Sequence, residues 1–456
     1  MAQIHWLNAI NGAFDTAADW TGSAIPGPAD DAILDAAGAT KYTVTATGKE
    51  SVNSIQTAAT ATLQIKTSSG AGGFSVAAGS GAGVDAGRIT VADGGDLILG
   101  GTLHNTGQVS LLAGADLTYF KVAAAGATLS GAGHLTLSDS AKNQIRGDDA
   151  APGGTLTNAG NLISGAGQIG GASLVLVNQS GAIDASGVNA LYIETTGPIT
   201  NTGTLEATNA GKLAVTGGLT LAFDNVANVG GVIEAVGANT HVDLTSTTII
   251  GGVLKTATGG IINVQGGADT LSGVAGAVTL DGNLAVADGG ALTVSGSINP
   301  NKLFAGKISL DGAAATTQLI VAAGGARLSG GQVAMSDNTH NFIDTNNAGT
   351  VLTNSSTIAG AGTIGSGGLV LVNGATGVID ATSATNALVL NTGASTISNA
   401  GLIEATAAGG LVVDSTIRNG ATGKIAISGG ATMSVNNAAI SGGTISVGTG
   451  SSFNLA

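Results

Sequence analysis

Apolar and small polar residues alternate along most of this chain in short runs. Leu174 and Leu176 alternate with Val175 and Val177, Leu97 and Leu99 flank Ile98, and Leu213 and Val215 flank Ala214. Runs of three to five such residues have the two-residue period of β-strands, and nothing sustains the 3.6-residue period of a helix. Between the runs stands a turn tripeptide, Asn-(Ala/Thr)-Gly, beginning at Asn105, Asn158, Asn201, Asn209, Asn347, Asn391 and Asn399. Asn and Gly tolerate positive φ, so these tripeptides are expected to form corners between short strands.

The runs recur with two periods. Val91-Ala92-Asp93-Gly94-Gly95 returns as Val286-Ala287-Asp288-Gly289-Gly290, an offset of 286 − 91 = 195. Gly165-Ala166-Gly167-Gln168-Ile169-Gly170 matches Gly360-Ala361-Gly362-Thr363-Ile364-Gly365 at the same offset, and Leu174–Asn178 returns as Leu369–Asn373. Residues 88–215 and 283–413 are therefore two copies of one long unit. A finer period is carried by Gly-x-(Ile/Leu)-(Asp/Glu)-Ala, which begins at Gly181, Gly203 and Gly231 in the first half of the chain, and again at Gly377 and Gly401, with gaps of 22, 28 and 24. A period near 22 residues, carried by short strands, is that of a solenoid coil. The expected fold is all-β: a right-handed parallel β-helix (β-solenoid) with coils of about 22 residues and an N-terminal cap. Residues 75–456 would supply roughly 17 coils, about 80 Å of rod.

Composition fits that geometry. Glycine supplies 77 of 456 residues and aromatics only 3%, as sharp corners and a narrow aliphatic interior require. Four of the twelve aromatics (Trp6, Phe14, Trp20 and Tyr42) fall in residues 1–70, which are expected to cover the first coil. Residues 71–282 would hold the first long repeat with connecting coils, and 283–456 the second. Ile445, Val447, Phe453 and Leu455 keep the strand rhythm to the end, so the chain is expected to continue in a longer protein or to meet a partner there.

Charge narrows the partners. The net charge is −14, with 28 acidic against 14 basic residues, and the most basic stretch is Lys302 and Lys307. Nucleic acid is not an expected partner, because a phosphate backbone calls for a basic stripe. No apolar run reaches the 18 or so residues that span a bilayer, and no disulfide or thiol chemistry is available without cysteine. Met1–Trp6 show neither the basic nor the apolar stretch typical of a secretory leader, which leaves the route of export open.

Taken together, the Gly-x-(Ile/Leu)-(Asp/Glu)-Ala coils and Asn-(Ala/Thr)-Gly corners resemble bacterial secreted β-solenoid repeat proteins. Those are autotransporter passengers, filamentous-haemagglutinin-type adhesins and repeat proteins exported by type I systems; Trp20-Thr21-Gly22, Pro26 and Asp30-Asp31 resemble the start of such proteins more weakly. The resemblance implies an extracellular or cell-surface structural protein acting in adhesion or biofilm matrix. Its partners would be a glycan, a cell surface or another copy of itself. A carbohydrate-active β-helix enzyme (a polysaccharide lyase or hydrolase) and a passive spacer for a module elsewhere are the alternatives. An enzyme would gather three or more carboxylate, Lys or Arg side chains on one concave patch; an adhesin would show a uniform stacked face.

Candidate chemistry is sparse, and no catalytic or cofactor-binding residue is assigned. Asp148-Asp149 beside Arg146 and the pair Asp30-Asp31 are adjacent acids whose ordinary role is loop charge. Tyr119, Phe120 and Tyr192 are the aromatics of the first copy that could platform a sugar. Arg146-Gly147-Asp148 spells an integrin-read tripeptide but reads as a solvated turn. His5, His104, His134, His241 and His340 lack ligand spacing. Thr43/Thr45 and Thr60/Thr62 are local pairs without the threonine plane of an ice-binding surface. One acidic series is regular: Asp184, Glu206 and Glu234, then Asp380 and Glu404, share one place in the coil motif. Stacked carboxylates repel, and lateral offset, side-chain hydrogen bonds or a bridging cation such as calcium would relieve them.

Overall fold

A computed structural model describes residues 1–66, 73–195, 197–208, 217–298 and 306–455. The Leu213–Val215 alternation, the Asn209 corner and Lys302 lie outside the described residues. Strands fill the fold, and the helical segments among the described residues are the 3-10 turns Ala17–Asp19 and Thr21–Ser23. None of the helices there is long and apolar enough to cross a membrane. The chain forms about 18 parallel β-solenoid turns of about 23 residues, in two compact units: residues 1–227 with 231–242, and residues 228–230 with 243–456.

Successive coils of the first unit contribute to three stacks of parallel strands. The first sheet runs through the starts of Asp96–His104 and Thr118–Ser130, then Asn143–Gly147, Gly167–Gly170, Leu191–Glu194 and Leu219–Ala222. The second runs through the end of Thr118–Ser130, then Thr155–Ala159, Val175–Asn178, Ile199–Asn201 and Asn225–Ala227. In the third sheet the strands Tyr42–Ala46, Ala61–Ile65, Arg88–Val91, Gln108–Leu111, His134–Leu137, Leu162–Gly165, Ala182–Ala185, Thr204–Thr208 and Val232–Val236 stack in chain order. Their inward residues form one register column: Val44, Leu63, Ile89, Val109, Leu135, Ile163, Ile183, Leu205 and Ile233, all buried. Burying one such side chain is worth about 1.5–3 kcal/mol, so the column is a main source of cohesion. The first sheet repeats the device with Leu97, Phe120, Ile145, Ile169, Ile193 and Leu221.

The second unit is built the same way. Its third-sheet column runs Ile262, Leu284, Ile308, Val333, Ile358, Ile379, Ile403, Ile425 and Ile445. All are buried except Ile445, which is 40% exposed.

Within residues 1–70, parallel strands are already present. Tyr42–Ala46 and Ala61–Ile65 join the third sheet, while Gln3–His5, Asp31–Leu34 and Ser54–Thr57 form a separate three-stranded parallel sheet. The early aromatics meet edge-to-face: Trp6 on Trp20 and Trp20 on Phe14 with centroids 5.0 Å apart, and Phe14 on Phe74 at 5.3 Å. The indole N–H of Trp20 donates to the Phe14 carbonyl at 2.7 Å, which pairs its polar atom inside the cluster.

The described Asn-(Ala/Thr)-Gly tripeptides do stand between strands or at their ends, as expected, but their asparagines do not supply the positive φ: among described asparagines only Asn239 and Asn437 adopt it. Instead, Asn105, Asn158, Asn201 and Asn399 are buried and their amides stack. In the first unit Asn158 Nδ2 donates to Asn178 Oδ1 at 3.0 Å, and Asn178 Nδ2 to Asn201 Oδ1 at 2.8 Å. In the second, Asn354, Asn373, Asn399 and Asn419 form a relay of their own at 2.9, 2.8 and 2.7 Å. Each amide also staples the second sheet to the third, as when Asn178 Nδ2 donates to the Thr204 carbonyl and Asn373 Nδ2 to that of Leu402. Asn105 donates to Asn161 Oδ1 at 2.7 Å. Asn347 and Asn391 stand outside these relays: the Asn347 N–H donates to Thr345 Oγ1, and Asn391 Oδ1 accepts from the Gly393 N–H while its main chain bonds to Ile364 and Gly367 of the preceding coil. A buried amide left without partners is costly, and here the amides donate to one another and to main-chain carbonyls, while their oxygens also accept from main-chain N–H groups and, at Asn354, from the Ser356 hydroxyl.

Glycine supplies the positive φ. Gly165 and Gly360, equivalent in the two copies, have φ of 125° and 127°, and a Cβ on either would collide with the carbonyl oxygen of Leu137 or Met335. Only glycine fits both the conformation and the close approach of the neighbouring coil.

Candidate binding face

The outward side of the first sheet in the first unit concentrates the unusual chemistry. One register row reads Asp96, Tyr119, Gln144, Gln168, Tyr192 and Thr220, one residue per coil. Tyr192 is 47% exposed. With neighbouring strands about 4.8 Å apart, Tyr119 and Tyr192 stand roughly 14 Å from each other, with two glutamine amides between them. Phe120, expected as a further platform, is fully buried. Adjacent strand residues face opposite ways, and Phe120 takes the inward place in register with Leu97.

Four charged side chains gather beside Tyr119. Lys121 Nζ lies 2.7 Å from Asp96 Oδ2 and 3.5 Å from Asp149 Oδ2, and Arg146 Nη2 lies 2.6 Å from Asp149 Oδ1. Lys121 and Arg146 stand 4.6 and 5.8 Å from the Tyr119 ring centroid, within reach of a cation–π contact that braces the ring. Burial pulls the Lys121 pKa down, but the hydrogen bond and charge of Asp96, joined by Asp149, outweigh it and hold the ammonium above its ordinary value. Lys121 therefore stays protonated and is not suited to act as a base. The Arg146-Gly147-Asp148 tripeptide belongs to the same cluster: Arg146 is held by Asp149, and Asp148 Oδ1 accepts from the Ala150 N–H at 3.3 Å.

The acidic series does come into register. Asp184, Glu206 and Glu234 face one another on successive coils of the third sheet, as do Asp380 and Glu404 in the second unit. Hydroxyls attend the first carboxylate of each set. Thr208 Oγ1 lies 2.9 and 3.0 Å from the two oxygens of Asp184, and Thr406 Oγ1 donates to Asp380 at 2.8 Å. Asp184 is only 8% exposed, so it sits in the sheet surface rather than projecting into solvent. Burial raises the pKa of Asp184, Asp380 and Glu404, and the Asp380 charge adds to the rise at Glu404. Among the described residues no three His, Asp or Glu side chains come together as a metal-binding group.

The other candidates have local partners. Asp31 accepts from Asn53 and Ser54, and Asp30 from the Gly27 N–H. His5 pairs with Asp35, His104 with Ser130 and His340 with Asn338.

Sequence reasoning missed a set of carboxylates that clamp turns of later coils. Asp93 accepts the N–H groups of Gly114, Ala115 and Asp116 at 2.8–2.9 Å, and its duplicate Asp288 accepts those of Ala313, Ala314 and Ala315. Asp139 reaches Asn189, and Asp337 reaches Thr385 and Asn386. These main-chain donors lower the pKa of Asp93, Asp288 and Asp337. The signal for Asp93 and Asp288 was present in the duplicated Val-Ala-Asp-Gly-Gly, whereas Asp139 and Asp337 stand outside that motif.

Buried acids were missed as well. Asp224 accepts the Thr195 N–H at 2.9 Å, Asp269 accepts the Thr247 N–H at 2.7 Å, and each keeps one buried oxygen without a partner. Burial raises Asp224 to about 7 and Asp269 to about 6. The stacked coils and internal duplication make this a β-solenoid repeat protein. No protein-family model matches the chain, and no curated protein matches it.

Proposed function

We propose that this is an extracellular or cell-surface structural β-solenoid acting in adhesion or a biofilm matrix. The first-sheet face of the first unit would be its contact surface for glycan. The observation that carries the reading is the register row Tyr119, Gln144, Gln168, Tyr192. Aromatic rings offer flat apolar faces to the C–H side of a sugar ring, and glutamine amides supply both donors and acceptors for its hydroxyls. The coil spacing is close to the rise of a sugar unit along an extended glycan, so one chain could meet successive coils. The resemblance in coil and corner motifs to bacterial secreted solenoids supports the location and the adhesive role.

The test is retention of the full chain on immobilised polysaccharides and on cells, wild type against Tyr192→Ala and Tyr119→Ala. Loss of one stacking platform should weaken retention about tenfold, near 1.4 kcal/mol, and at the half-exposed Tyr192 it should do so without lowering the melting temperature. Unchanged retention in both variants would favour the passive spacer.

A second reading, a carbohydrate-active enzyme, is favoured by the meeting of Asp96, Lys121, Arg146 and Asp149. Such an enzyme would use the protonated Lys121 to stabilise negative charge and a carboxylate for proton transfer. Release of new reducing ends or unsaturated products from polysaccharide, abolished by Asp149→Asn, would establish it.

A further inference from the structure

A concavity of about 170 Å³ opens on the third sheet of the first unit, lined by Lys41, Thr60, Thr62, Arg88 and Gln108 over a floor that includes Gly87 and Gly107. Register explains how residues so distant in sequence meet. Thr62 faces Arg88 on the next coil, and Arg88 faces Gln108 on the one after. Lys41 immediately precedes the strand in which Tyr42 faces Ala61, which brings it beside Thr60. The floor must be glycine: a Cβ on Gly87 would collide with the carbonyl oxygens of Ala58 and Ala61, and one on Gly107 with that of Gly87.

The charge of this concavity runs against the rest of the chain. The ion pairs among the described residues use His5, Lys121 and Arg146, and none involves Lys41 or Arg88. No carboxylate lines the site. Two cations without acidic partners thus share one depression in a chain of net charge −14. The guanidinium fork of Arg88 matches an oxyanion in geometry, and Lys41 adds a point charge. Thr60, Thr62 and Gln108 supply neutral polar groups suited to hydroxyls. The volume is well below the 300–1,000 Å³ of pockets for drug-sized ligands, a size for a single sugar ring rather than an oligosaccharide.

We infer that the Lys41–Arg88 concavity is a binding site for a monosaccharide-sized ligand that bears an oxyanion, a sugar carboxylate or a sugar phosphate. The site lies on a different sheet from the Tyr119–Tyr192 row, so either can fail without the other.

Calorimetric titration of the full chain at low ionic strength with glucuronate, glucose 6-phosphate and glucose tests the inference. At least one of the two acids should bind about tenfold or more tightly than glucose, and their order tells carboxylate from phosphate. Arg88→Gln and Lys41→Ala should each weaken the acid several-fold. Lys424→Ala, an equal charge change in the second unit, and Tyr192→Ala should leave it unchanged. Thermal melts that match wild type would exclude misfolding as the cause. Equal affinity for glucose, equal loss in Lys424→Ala, or no binding of either acid at 10 mM, a weak limit for a charge-assisted site, would overturn it.

Discussion

The two units are built on one scaffold and differ in what they show to solvent. Outward from the first sheet, the first unit presents Asp96, Tyr119, Gln144, Gln168 and Tyr192, while the equivalent row of the second reads Ala291, Gln318, Phe342, Thr363 and Val389. Lys121 and Arg146 give way to Ile320 and Asp344, which face one another in the second unit just as the two cations do in the first. Beneath that surface, the amide ladders, the clamping pair Asp93 and Asp288, and the paired glycines Gly165 and Gly360 recur with the same partners. What duplicates is framework. What does not duplicate is the chemistry available to a ligand, and both proposed sites fall in the first unit.

The largest effect expected from breaking this equivalence is at the ladders. Asn178→Ala and Asn373→Ala each strand a buried donor on one neighbour and a buried acceptor on the other. The cost should be about 3 kcal/mol in either unit. Asn347→Ala, at an exposed turn, should change stability by less than about 0.5 kcal/mol. Urea unfolding of the three variants measures this; a marked inequality between the two ladder variants would deny the units a common framework.

Next in size is a response to pH. Asp224 and Asp269 have folded-state pKa values raised to about 7 and about 6, above the unfolded value. Their contribution is therefore fully present below the unfolded pKa and is lost as pH rises through 6 to 7. Asp93, Asp288 and Asp337 are shifted the other way; their contribution holds above the unfolded pKa and is lost as pH falls through their lowered values. Melting temperature should accordingly peak in mildly acidic solution and decline by several degrees toward pH 8. The second copy offers a neutral solution to the same corner, since the Thr392 N–H donates to Ser415 Oγ at 2.7 Å where Thr195 uses Asp224. Asp224→Ser should flatten the alkaline limb, and an unflattened limb would remove Asp224 as its source.

The smallest expected effect concerns calcium. Threonine hydroxyls attend Asp184 and Asp380, the first carboxylate of each acidic set, so EDTA should leave the melting temperature unchanged. A calcium-dependent rise of several degrees would instead place a cation along Asp184, Glu206 and Glu234, or along Asp380 and Glu404.

Coil architecture was legible in the sequence because inward aliphatics must recur once per turn, and the duplication confirmed the spacing. The corner asparagines were read for the wrong property. Asn-x-Gly suits a left-handed turn as well as a buried amide, and only the recurrence of Asn158, Asn178 and Asn201 at coil spacing separates the two. Phe120 was misplaced although strand parity alone opposes it to Tyr119. The Lys41–Arg88 site was out of reach, since 47 residues separate its cations and the intervening coils differ in length. Val44 to Leu63 spans 19 residues, and Leu63 to Ile89 spans 26.

The amide relay carries a consequence for assembly. Val, Leu, Ile and Ala recur so monotonously here that a winding laid down one pleat or one turn out of place would bury nearly as much oil. Such a mistake would leave an asparagine opposite an aliphatic neighbour, with its hydrogen bonds unmade. In a text this repetitive, the polar column works as a checksum: it adds little to the sum of the cohesion, yet it tells the right stacking from the many that almost match.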